Sequence, residues 1–546
     1  MSQSQLEQII RKLVLKNAFD YGKAQAGGVV GKVIAEFPDA KKDMKTTMQL
    51  IGKIVAEVNK LSKKEIEKQM ASFEYFEKKE EEKKLIFPNA EQGKVVVRFP
   101  PEPNGYPHIG HAKAFCLEWT AARENGGKVI MRWDDTNPEA EKLEYVDAIR
   151  EGIKWLKLNW DEEVYCSDWI PKMYLLNGQL LKQGDAYVCS CTQEQTSGNR
   201  EKKKRCSCVN AKPIEQLKLW KEMLSGKTAK GAAVVRLKGD MTSLNTVMRD
   251  PTLWRIIETP HYRQGTKYHV WPTYDFQGAV MDSLLGVTHP LRSKEYELRD
   301  ELYFFLLDKL KLRKPTLVTI SRLSITRMPI SKRLLRSLVE SGKLWGWDDP
   351  RLPTLIGLRR RGITPEAITK FVLSFGLSKV ESNPTIDQLL SFNRKELENS
   401  PHFFFVPNPV EVKIGKEVVY IPKADADTLK TGEIFRLKNS FNVKVKKVDK
   451  KTHVIDGENA GNELIPDTKK LQWVGKDALK CVVYYPGQLL KDDDETFNEN
   501  SLKVVEGLCQ KECAALKIGD AVQFERVGFA RLDKKEKAKL AFVFSC

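Results

Sequence analysis

The stretch VVVRFPPEPNGYPHIGHAKAFCLEW, from Val95 to Trp119, decides how the rest of the chain is organised. It opens with a β-branched run that ends in a Pro/Gly/Asn cluster, after which Ile109, Ala112 and Phe115 recur at helical spacing. The pattern predicts a strand, a turn and a helix. A helix that begins at the carboxyl end of a parallel strand presents unpaired backbone N–H groups and a positive dipole end, which together attract phosphate.

The first turn of this predicted helix carries two histidines, His108 and His111, with Gly110 between them. Gly110 leaves room for a base or a ribose to lie against the backbone. The histidines can donate hydrogen bonds to phosphate oxygens that gain charge during a displacement. The stretch therefore predicts an ATP site. An isolated pair of histidines would more often cap the helix or face solvent, so the interpretation depends on context.

The string HIGH, after a strand and PPEPNGY, is typical of class I aminoacyl-tRNA synthetases, and this stretch resembles the glutamyl and glutaminyl branch of that family. The resemblance implies a Rossmann-type α/β catalytic domain that uses ATP and Mg²⁺ and has tRNA as its partner. It also implies that His108 and His111 are catalytic and that Pro103, Asn104 and Gly110 contact ATP.

Composition and charge agree with a large enzyme that binds a polyanion. The 546 residues suffice for roughly three to four domains. Lys and Arg number 91 against 73 Asp and Glu, an excess of 18 that favours a nucleic-acid partner. No signal-like leader and no run of 18 apolar residues occurs, so we expect a soluble, cytoplasmic protein without membrane contact. We also expect a monomer, although the residues themselves leave the oligomeric state open.

The order of the patterns predicts a multidomain chain. Its segments are an N-terminal helical extension at 1–90, the first half of the catalytic fold at 91–168, an acceptor-stem insert at 169–262, the second half of the catalytic fold at 263–345, a helical connection at 346–400 and β-barrels at 401–546. In the extension, amphipathic repeats predict helices, with a Gly-rich break at AQAGGVVGKV between them.

Period-two runs after Pro401, divided by turns, predict the β-barrels. Among the family, archaeal and eukaryotic glutamyl enzymes share such barrels with glutaminyl enzymes and use them to bind the anticodon, whereas bacterial glutamyl enzymes use helices. The resemblance therefore points to the archaeal and eukaryotic type. It implies anticodon contacts from Gln523 and Arg526 in DAVQFERVGFARLD.

The run KVIMRWDDTNP predicts a second buried strand that ends in two acids, Asp134 and Asp135. Acids at the carboxyl end of a parallel strand point into the ligand crevice, where a carboxylate can pair with the α-ammonium group of an amino acid. An Asx turn that closes the strand is the alternative. The resemblance implies that Asp134, Arg98 and Tyr274 contact the amino-acid substrate.

Four cysteines of the insert form two Cys-x-Cys pairs separated by fourteen residues: Cys189, Cys191, Cys206 and Cys208. Four thiolates on two tight turns joined by a polar loop suit a closed, tetrahedral zinc site of the structural kind. Four free thiols are the alternative. The intracellular setting that we expect favours zinc over disulfides.

Two basic runs have alternative interpretations. Residues 200–205, REKKKR, are either a solvated loop of the insert or a phosphate contact. Residues 359–361, RRR, are either an ordinary solvated helix end or a patch that faces RNA.

Arg292, in THPLRSKEY, bears on the choice between glutamate and glutamine. Glutaminyl enzymes that resemble this chain carry a small uncharged residue there, and glutamyl enzymes carry arginine. A guanidinium can form two hydrogen bonds with a γ-carboxylate. The NH₂ group of a glutamine amide would instead lie against the N–H groups of the arginine, at a cost of about 1–3 kcal/mol per unpaired donor. The resemblance therefore implies ligation of L-glutamate to tRNA(Glu), and to tRNA(Gln) as well. PPEPNGY looks more like the glutaminyl branch, so a glutaminyl enzyme stays an alternative, as does an inactive RNA-binding paralogue.

The run SRLSITRMPISKRLLRSLVE resembles the second signature of class I synthetases, with ISKR at 330–333 in place of MSKR. A mobile loop with a lysine can close over the β- and γ-phosphates and stabilise the leaving pyrophosphate. Lys332 is therefore predicted to act in the transition state more than in binding. The resemblance implies further ATP contacts from Ser293, Arg322, Leu323 and Ser331.

Overall fold

The computed structural model describes residues 3–73, 85–329, 331–449, 454–536 and 539–546. The chain separates into two compact units, Met1–Lys83 and Lys84–Cys546. The first unit is helical, and its helices are Gln3–Tyr21, Ala26–Glu36, Met44–Val58 and Lys63–Met70. Apolar side chains from all four helices form one buried core.

The predicted Gly-rich break in this unit is wrong, because the helix Ala26–Glu36 occupies it. Val29 and Val33, one turn apart, are fully buried in the core shared by the four helices. Burial of a valine stabilises by about 1.5–3 kcal/mol, whereas a glycine within a helix costs about 1 kcal/mol relative to alanine. Packing of the two valines therefore outweighs the low helix propensity of the glycines.

Parallel strands form the centre of the second unit. Three of them are paired in the order Val96–Phe99, Lys128–Trp133 and Glu162–Tyr165. Leu291–Ser293 and Val318–Ile320 form another parallel pair. The backbone N–H of Thr288 donates to the Val96 carbonyl at 2.8 Å and its Oγ1 accepts from the Val96 N–H at 2.8 Å, so the second pair lies beside the opening strand Val96–Phe99.

The predicted strand, turn and helix are confirmed. The turn after the opening strand leads into Ile109–Glu124, which we call the HIGH helix, and its Ile109, Ala112 and Leu117 are fully buried. The other helices of this region are Leu143–Trp155, Tyr274–Leu284, Asp300–Leu310 and Lys332–Glu340. None of the described helices of the chain combines the length and the apolarity needed to cross a membrane.

An antiparallel sheet forms the insert between the two groups of parallel strands. Its four strands are paired in the order Ala186–Cys189, Val234–Leu237, Thr252–Ile256 and Val270–Pro272. Its helices are Ile170–Gln183, Gln193–Glu201 and Pro213–Leu224. The polar loop predicted between the cysteine pairs therefore contains a helix, which begins because Thr192 and Gln195 form a capping box that satisfies the first backbone N–H groups.

Three helices lead from the catalytic fold to the C-terminal region: Leu355–Arg361, Pro365–Leu373 and Ile386–Leu397. Two barrel-like sheets of seven strands follow. The first comprises Pro409–Ile414, Glu417–Pro422, Ile434–Leu437, Asn442–Asp449, Val454–Asn459, Lys469–Leu471 and Val474–Gly475, with the short helix Lys423–Ala426. The second comprises His402–Phe403, Phe405–Pro407, Leu479–Pro486, Leu502–Cys509, Ala521–Phe524, Gly528–Glu536 and Lys539–Phe544.

In the arginine run at 359–361, Arg360 and Arg361 do not belong to a solvated helix end, whereas Arg359 is exposed. Arg361 is buried, with 4% of its surface exposed, and burial lowers its pKa to about 10. Arg360 pairs with Asp533 of the second barrel-like sheet at 2.8 Å. Arg359 pairs with Glu151 at 2.7 Å. The run therefore fastens the connecting helices to their neighbours.

Candidate active site

The two histidines of the HIGH motif form the start of the HIGH helix. Nδ1 of His108 accepts from the Gly110 N–H at 3.1 Å, and Nδ1 of His111 accepts from the His108 N–H at 3.2 Å. The two ring centroids lie 3.9 Å apart. Because Nδ1 is the acceptor in both rings, the neutral form carries its proton on Nε2. That is the tautomer that donates a hydrogen bond to an oxygen such as that of a phosphate.

Gly110 is required by a close approach. A Cβ atom at this position would lie 2.9 Å from Cε1 of His108 and 3.4 Å from the backbone oxygen of Leu323. The first distance is shorter than real Cβ contacts, so a side chain would displace the His108 ring. The structure therefore brings three of the predicted ATP-site residues, His108, Gly110 and Leu323, into one place.

Lys113 holds the segment around Leu323 against the HIGH helix. Its buried Nζ donates to the Ser321 carbonyl at 2.8 Å and to Ser321 Oγ at 3.0 Å, and burial lowers its pKa to about 8. Leu323 is buried two residues later, whereas Arg322 is exposed and pairs with Glu295 at 2.8 Å. The sequence analysis missed Lys113. Its signal was a lysine four residues after Ile109, on the buried side of a predicted helix.

Three other predicted ATP-site residues lie in a turn or at the end of a strand. Pro103 and Asn104 belong to the turn before the HIGH helix, where the Pro103 carbonyl accepts from the Lys142 N–H at 3.0 Å. Ser293 ends the strand Leu291–Ser293, and its Oγ is buried without a hydrogen-bond partner among the described residues. An orphaned hydroxyl in a buried place is costly, so this oxygen is available to a ligand.

The turn that precedes Leu355 fixes the HIGH motif from outside. The Ile109 N–H donates to the Pro353 carbonyl at 3.0 Å, and the Leu355 N–H donates to the Pro107 carbonyl at 2.8 Å. The ring of Tyr106 stacks on a tryptophan of this turn, Trp347, at 5.5 Å. Two backbone hydrogen bonds and one ring stack therefore hold the start of the HIGH helix against this turn.

A small pocket lies beside the opening strand, and we call it the arginine pocket. Arg98, Tyr274 and Arg292, three of the four residues predicted to contact the amino acid, line it together. Its other charged lining residues are Asp275, Asp282 and Arg299. Converging arginines in a small pocket favour a ligand that carries carboxylates.

Arg292 is buried in this pocket and has a fixed orientation. Its Nη1 donates to Oδ1 of Asp300 at 2.6 Å. The rings of Tyr274, Tyr296 and Tyr303 lie 6.0, 5.8 and 5.2 Å from its guanidinium carbon. A guanidinium has five N–H donors, so one bond to Asp300 orients the group and still leaves donors for a carboxylate ligand.

Arg98 is buried as well, and a network of charged groups extends from it. Its Nε donates to Asp282 and its Nη1 to Glu118, both at 2.9 Å. Arg132 also pairs with Asp282, and its Nε donates to Asp134 at 2.7 Å. Asp134 is not among the described residues that line the arginine pocket. Three ion pairs in series connect it to Arg98, because Asp282 pairs with both arginines and Arg132 pairs with Asp134.

The catalytic-domain family model "tRNA synthetases class I (E and Q), catalytic domain" matches residues 94–399. This match covers more than half of the chain and contains the HIGH helix and the arginine pocket. The chain belongs to the glutamyl and glutaminyl branch of the class I tRNA synthetases. Two models of the anticodon-binding domain of the same branch match residues 410–459, in the first barrel-like sheet, and residues 470–533, mostly in the second.

Among curated proteins, the synthetase is similar to several archaeal glutamate–tRNA ligases over nearly its full length. It is 40% identical to that of Nitrosopumilus maritimus, over 97% of this chain and 98% of the relative. It is 38% identical to that of Cenarchaeum symbiosum, over 97% and 98%. It is 37% identical to that of Pyrococcus abyssi, over 99% and 100%.

The four predicted cysteine ligands of the synthetase come together in the insert. The Sγ atoms of Cys189, Cys191, Cys206 and Cys208 all lie within 4.8 Å of one another. Two of the Sγ···Sγ distances are 3.7 Å, from Cys189 to Cys206, and 3.9 Å, from Cys191 to Cys208. A zinc ion with bonds of about 2.3 Å to four thiolates separates its sulfurs by about 3.8 Å, so the donor set fits this metal.

Gln216, which the sequence analysis missed, holds the two cysteine pairs together. Its Nε2 donates to the Cys208 carbonyl at 2.8 Å, and its Oε1 accepts from the Val188 N–H at 2.7 Å, next to Cys189. The basic run between the pairs is less available to RNA than predicted. Arg200 donates to backbone carbonyls at 3.0 Å and Arg205 pairs with Asp250 at 2.7 Å. Of the basic residues in this run, only the three lysines at 202–204 are exposed.

The second signature overlaps the start of the helix Lys332–Glu340, with Ser331 exposed at the position before the helix. Ile330 and the side chain of Lys332 lie outside the described part of the chain. The predicted catalytic role of Lys332 therefore rests on the sequence alone.

The two predicted anticodon contacts lie in the second barrel-like sheet. Gln523 belongs to the strand Ala521–Phe524, and its backbone N–H donates to the Pro401 carbonyl at 2.9 Å. Arg526 has a positive φ of 60° and pairs with Asp425 of the first barrel-like sheet through bonds of 2.8 and 3.1 Å. Arg526 therefore joins the two anticodon-binding domains through this ion pair.

Proposed function

We propose that this synthetase ligates L-glutamate to tRNA(Glu) through a glutamyl-adenylate. The observation that carries the proposal is Arg292, buried and oriented in a pocket that Arg98 and Tyr274 also line. A γ-carboxylate can pair with the N–H groups of Arg292 that Asp300 does not use. The NH₂ group of glutamine would lie against those N–H groups, so buried donors would be left without acceptors. Full-length similarity to archaeal glutamate–tRNA ligases supports the same assignment.

In the first step, an α-carboxylate oxygen of glutamate attacks the α-phosphorus of ATP, and the bond to the β-phosphate oxygen breaks to release pyrophosphate. Nε2–H groups of His108 and His111 and the ammonium group of Lys332 stabilise the charge that develops on the phosphates. Mg²⁺ bound with ATP supplies further charge neutralisation. In the second step, a hydroxyl of the terminal ribose of tRNA attacks the acyl carbon and AMP leaves. Positioning and charge stabilisation suffice, so no protein nucleophile is needed.

The remaining assignments of the ATP and glutamate sites follow from the same proposal. Asp134 is assigned to the α-ammonium group of glutamate, and its carboxylate accepts from Arg132 in this structure. The ATP contacts that we propose are Pro103, Asn104, Gly110, Ser293, Arg322, Leu323 and Ser331. The buried, unpartnered Oγ of Ser293 supports this set.

We also propose that the four cysteines bind a structural zinc ion. Four thiolates close the coordination sphere, so the ion holds the insert in shape and takes no part in the chemistry. The insert binds the acceptor stem of tRNA. The barrel-like sheets bind the anticodon, with Gln523 and Arg526 among the contacts. Arg526 would then exchange its bond to Asp425 for one to RNA.

Aminoacylation assays test the proposal. The purified synthetase is given glutamate or glutamine, each with tRNA(Glu) and with tRNA(Gln), and kcat/KM is measured for all four combinations. We expect ligation of glutamate to both tRNAs. We also propose that the enzyme is a monomer and acts in the cytoplasm, where its substrates are. A preference for glutamine would replace the assignment by a glutaminyl enzyme, and failure to form any aminoacyl-tRNA would identify an inactive RNA-binding paralogue.

A further inference from the structure

Glu118, on the HIGH helix two turns after His111, connects the two substrate arginines. Its side chain is 1% exposed. Oε1 accepts from Nη1 of Arg98 at 2.9 Å and from the Leu291 N–H at 3.3 Å, and Leu291 directly precedes Arg292. One carboxyl oxygen therefore fixes the side chain of one arginine and the backbone beside the other.

The second carboxyl oxygen of Glu118 has a different environment. Oε2 is buried and has no hydrogen-bond partner among the described residues. A buried carboxylate normally has both oxygens hydrogen-bonded, because an unpaired ionised oxygen is costly to desolvate. Among the described residues, the carboxyl group of Glu118 therefore accepts hydrogen bonds through only one of its two oxygens.

The charges around Glu118 also favour a neutral carboxyl group. The buried network contains two cations, Arg98 and Arg132, against three acids, Glu118, Asp282 and Asp134. If all five were ionised, the network would carry one uncompensated negative charge away from water. A proton on one acid removes that charge.

Neighbouring groups decide which acid carries the proton. Asp282 faces both arginines and accepts from the Tyr303 hydroxyl at 3.0 Å. Desolvation opposes these partners, yet they keep its pKa low. Desolvation raises the pKa of Glu118 to about 8, Arg98 and the Leu291 N–H oppose this, and Asp282 adds to it. Both oxygens of Asp134 accept from Arg132, at 2.7 and 3.1 Å, whereas Oε2 of Glu118 has no partner among the described residues. Glu118 is therefore the acid of this network whose surroundings best suit a proton.

We propose that Glu118 is a positioning residue that, in its protonated form, holds Arg98 and the backbone next to Arg292 while leaving the charge of Arg98 to a substrate carboxylate. The proposal rests on the proposed function, in which the pocket binds glutamate. An ionised Glu118 would give Arg98 a second carboxylate partner besides Asp282. The substrate would then approach an arginine whose charge is already compensated, so glutamate would bind less tightly.

The test is the pH dependence of the KM for glutamate in the full-length enzyme with tRNA(Glu). In the wild type, we expect KM to rise about tenfold between pH 7 and pH 9, as a single proton with a pKa of about 8 is lost. Glu118→Gln keeps an acceptor for Arg98, is always neutral and imitates the protonated acid. Its KM should match that of the wild type at pH 7 and stay within twofold up to pH 9.

A matched variant separates the titration of Glu118 from other pH effects. Cys116→Ser lies on the same helix, is equally buried and touches Thr369 on another face. It should retain the wild-type profile. The KM for ATP should have the same profile in all three proteins, because only the arginine pocket is affected. A tenfold rise that persists in Glu118→Gln would overturn the proposal.

A second variant covers the case in which Glu118→Gln does not fold. Glu118→Met has a similar volume, cannot titrate and provides no acceptor for Arg98. We expect a KM for glutamate that is raised at every pH and does not change further between pH 7 and pH 9. A KM that is unchanged at pH 7 in this variant would show that Glu118 does not position the arginines.

A spectroscopic measurement decides the protonation without reference to the substrate. In the infrared difference between wild type and Glu118→Gln, a carbonyl band of a neutral carboxylic acid should be present at pH 7 and vanish through about pH 8. Absence of the band at pH 7 would refute the proposal whichever amino acid the enzyme ligates. Ligation of glutamine instead of glutamate would overturn the proposed function alone, since the infrared titration would still report on Glu118.

Discussion

Nη1 of Arg292 donates a 2.6 Å hydrogen bond to Oδ1 of Asp300, and this bond orients the guanidinium within the arginine pocket. Both residues come from short elements that meet at this point: Arg292 is the middle residue of the strand Leu291–Ser293, and Asp300 begins the helix Asp300–Leu310. A carboxylate at this place compensates the buried arginine when no substrate is bound. Because this bond uses an N–H group on Nη1, the other N–H groups of Arg292 remain for the substrate.

Arg292→Cys should therefore weaken glutamate binding and selectivity together. Removal of the charged fork eliminates both the pair with the γ-carboxylate and the penalty against an amide, so we expect kcat/KM for glutamate to fall about 100-fold. The ratio of glutamate to glutamine should fall with it, while the KM for ATP stays nearly constant. Arg359→Cys, at a surface arginine paired with Glu151, is the control and should change neither value. An unchanged ratio in Arg292→Cys would exclude Arg292 as the selector.

Lys332→Ala should lower kcat much more than it raises the KM for ATP. Its charge is needed when pyrophosphate leaves, so the interaction belongs to the transition state, and we expect a loss of about 100-fold in kcat. Single-turnover formation of the adenylate measures this step directly. Lys343→Ala removes an exposed lysine that pairs with Glu499, and it should behave as the wild type. Equal turnover in the two variants would mean that Lys332 takes no part in activation.

Cys189→Ser should release the zinc ion that we propose for the insert. The wild type is expected to contain about one zinc per chain by elemental analysis, and the variant much less, because a closed four-thiolate site has no spare ligand. Cys481→Ser changes a buried cysteine outside the cluster and should keep the metal. A wild type without zinc, purified without chelators, would leave four neighbouring thiols as the correct interpretation.

Local patterns were sufficient to predict the elements that the active site needs. The β-branched run before PPEPNGY, the HIGH motif and the acids after VIMRW each follow from residues close together in sequence, and the corresponding strand, helix and second strand are present. Likewise, the two Cys-x-Cys pairs lie close together in sequence, and their four Sγ atoms lie within 4.8 Å of one another. The glycine-rich helix at Ala26–Glu36 was missed because its stability comes from valines packed against distant helices, which composition does not reveal.

The partners that charged side chains have in the fold could not be predicted from the sequence. Asp134 was expected in the amino-acid pocket, but Arg132 and Gln277 occupy both sides of its carboxylate. Arg526 was expected on the RNA and is paired with Asp425, 101 residues away in the chain. A charged residue in a sequence has many possible partners, and only the fold selects one of them. The same reason explains why Glu118 and Lys113 looked like ordinary residues of a helix.

Glu118→Gln should change how the stability of the protein depends on pH. The pKa of Glu118 is raised from 4.5 to about 8 in the folded protein, so the folded state binds more protons than the unfolded state between these values. Stability from this group is complete below about pH 4.5 and is lost as the pH rises through about 8. The variant lacks this loss. Its Tm relative to the wild type should therefore increase from pH 5 to pH 8, and a constant difference would contradict a raised pKa.

Lys113→Met should impair ATP binding more than glutamate binding. The methionine side chain has a similar length and suits a buried place, but it cannot donate to the carbonyl and Oγ of Ser321 as Lys113 does at 2.8 and 3.0 Å. Without these bonds the segment that leads to Leu323 is no longer fixed against Gly110, so we expect the KM for ATP to rise about tenfold, the equivalent of about one hydrogen bond to a charged group.

Ser321→Ala provides the matched comparison for Lys113→Met. It removes only the Oγ acceptor and keeps the backbone carbonyl, so its KM for ATP should rise by a smaller factor, and the double variant should be no worse than Lys113→Met alone. The KM for glutamate should stay within about twofold in all three proteins, because the arginine pocket does not depend on this segment. Initial rates of aminoacylation over a range of ATP concentrations give these values. If Lys113→Met leaves the KM for ATP unchanged, the contact between the HIGH helix and Ser321 serves only the core, and the segment around Leu323 does not depend on it to bind the nucleotide.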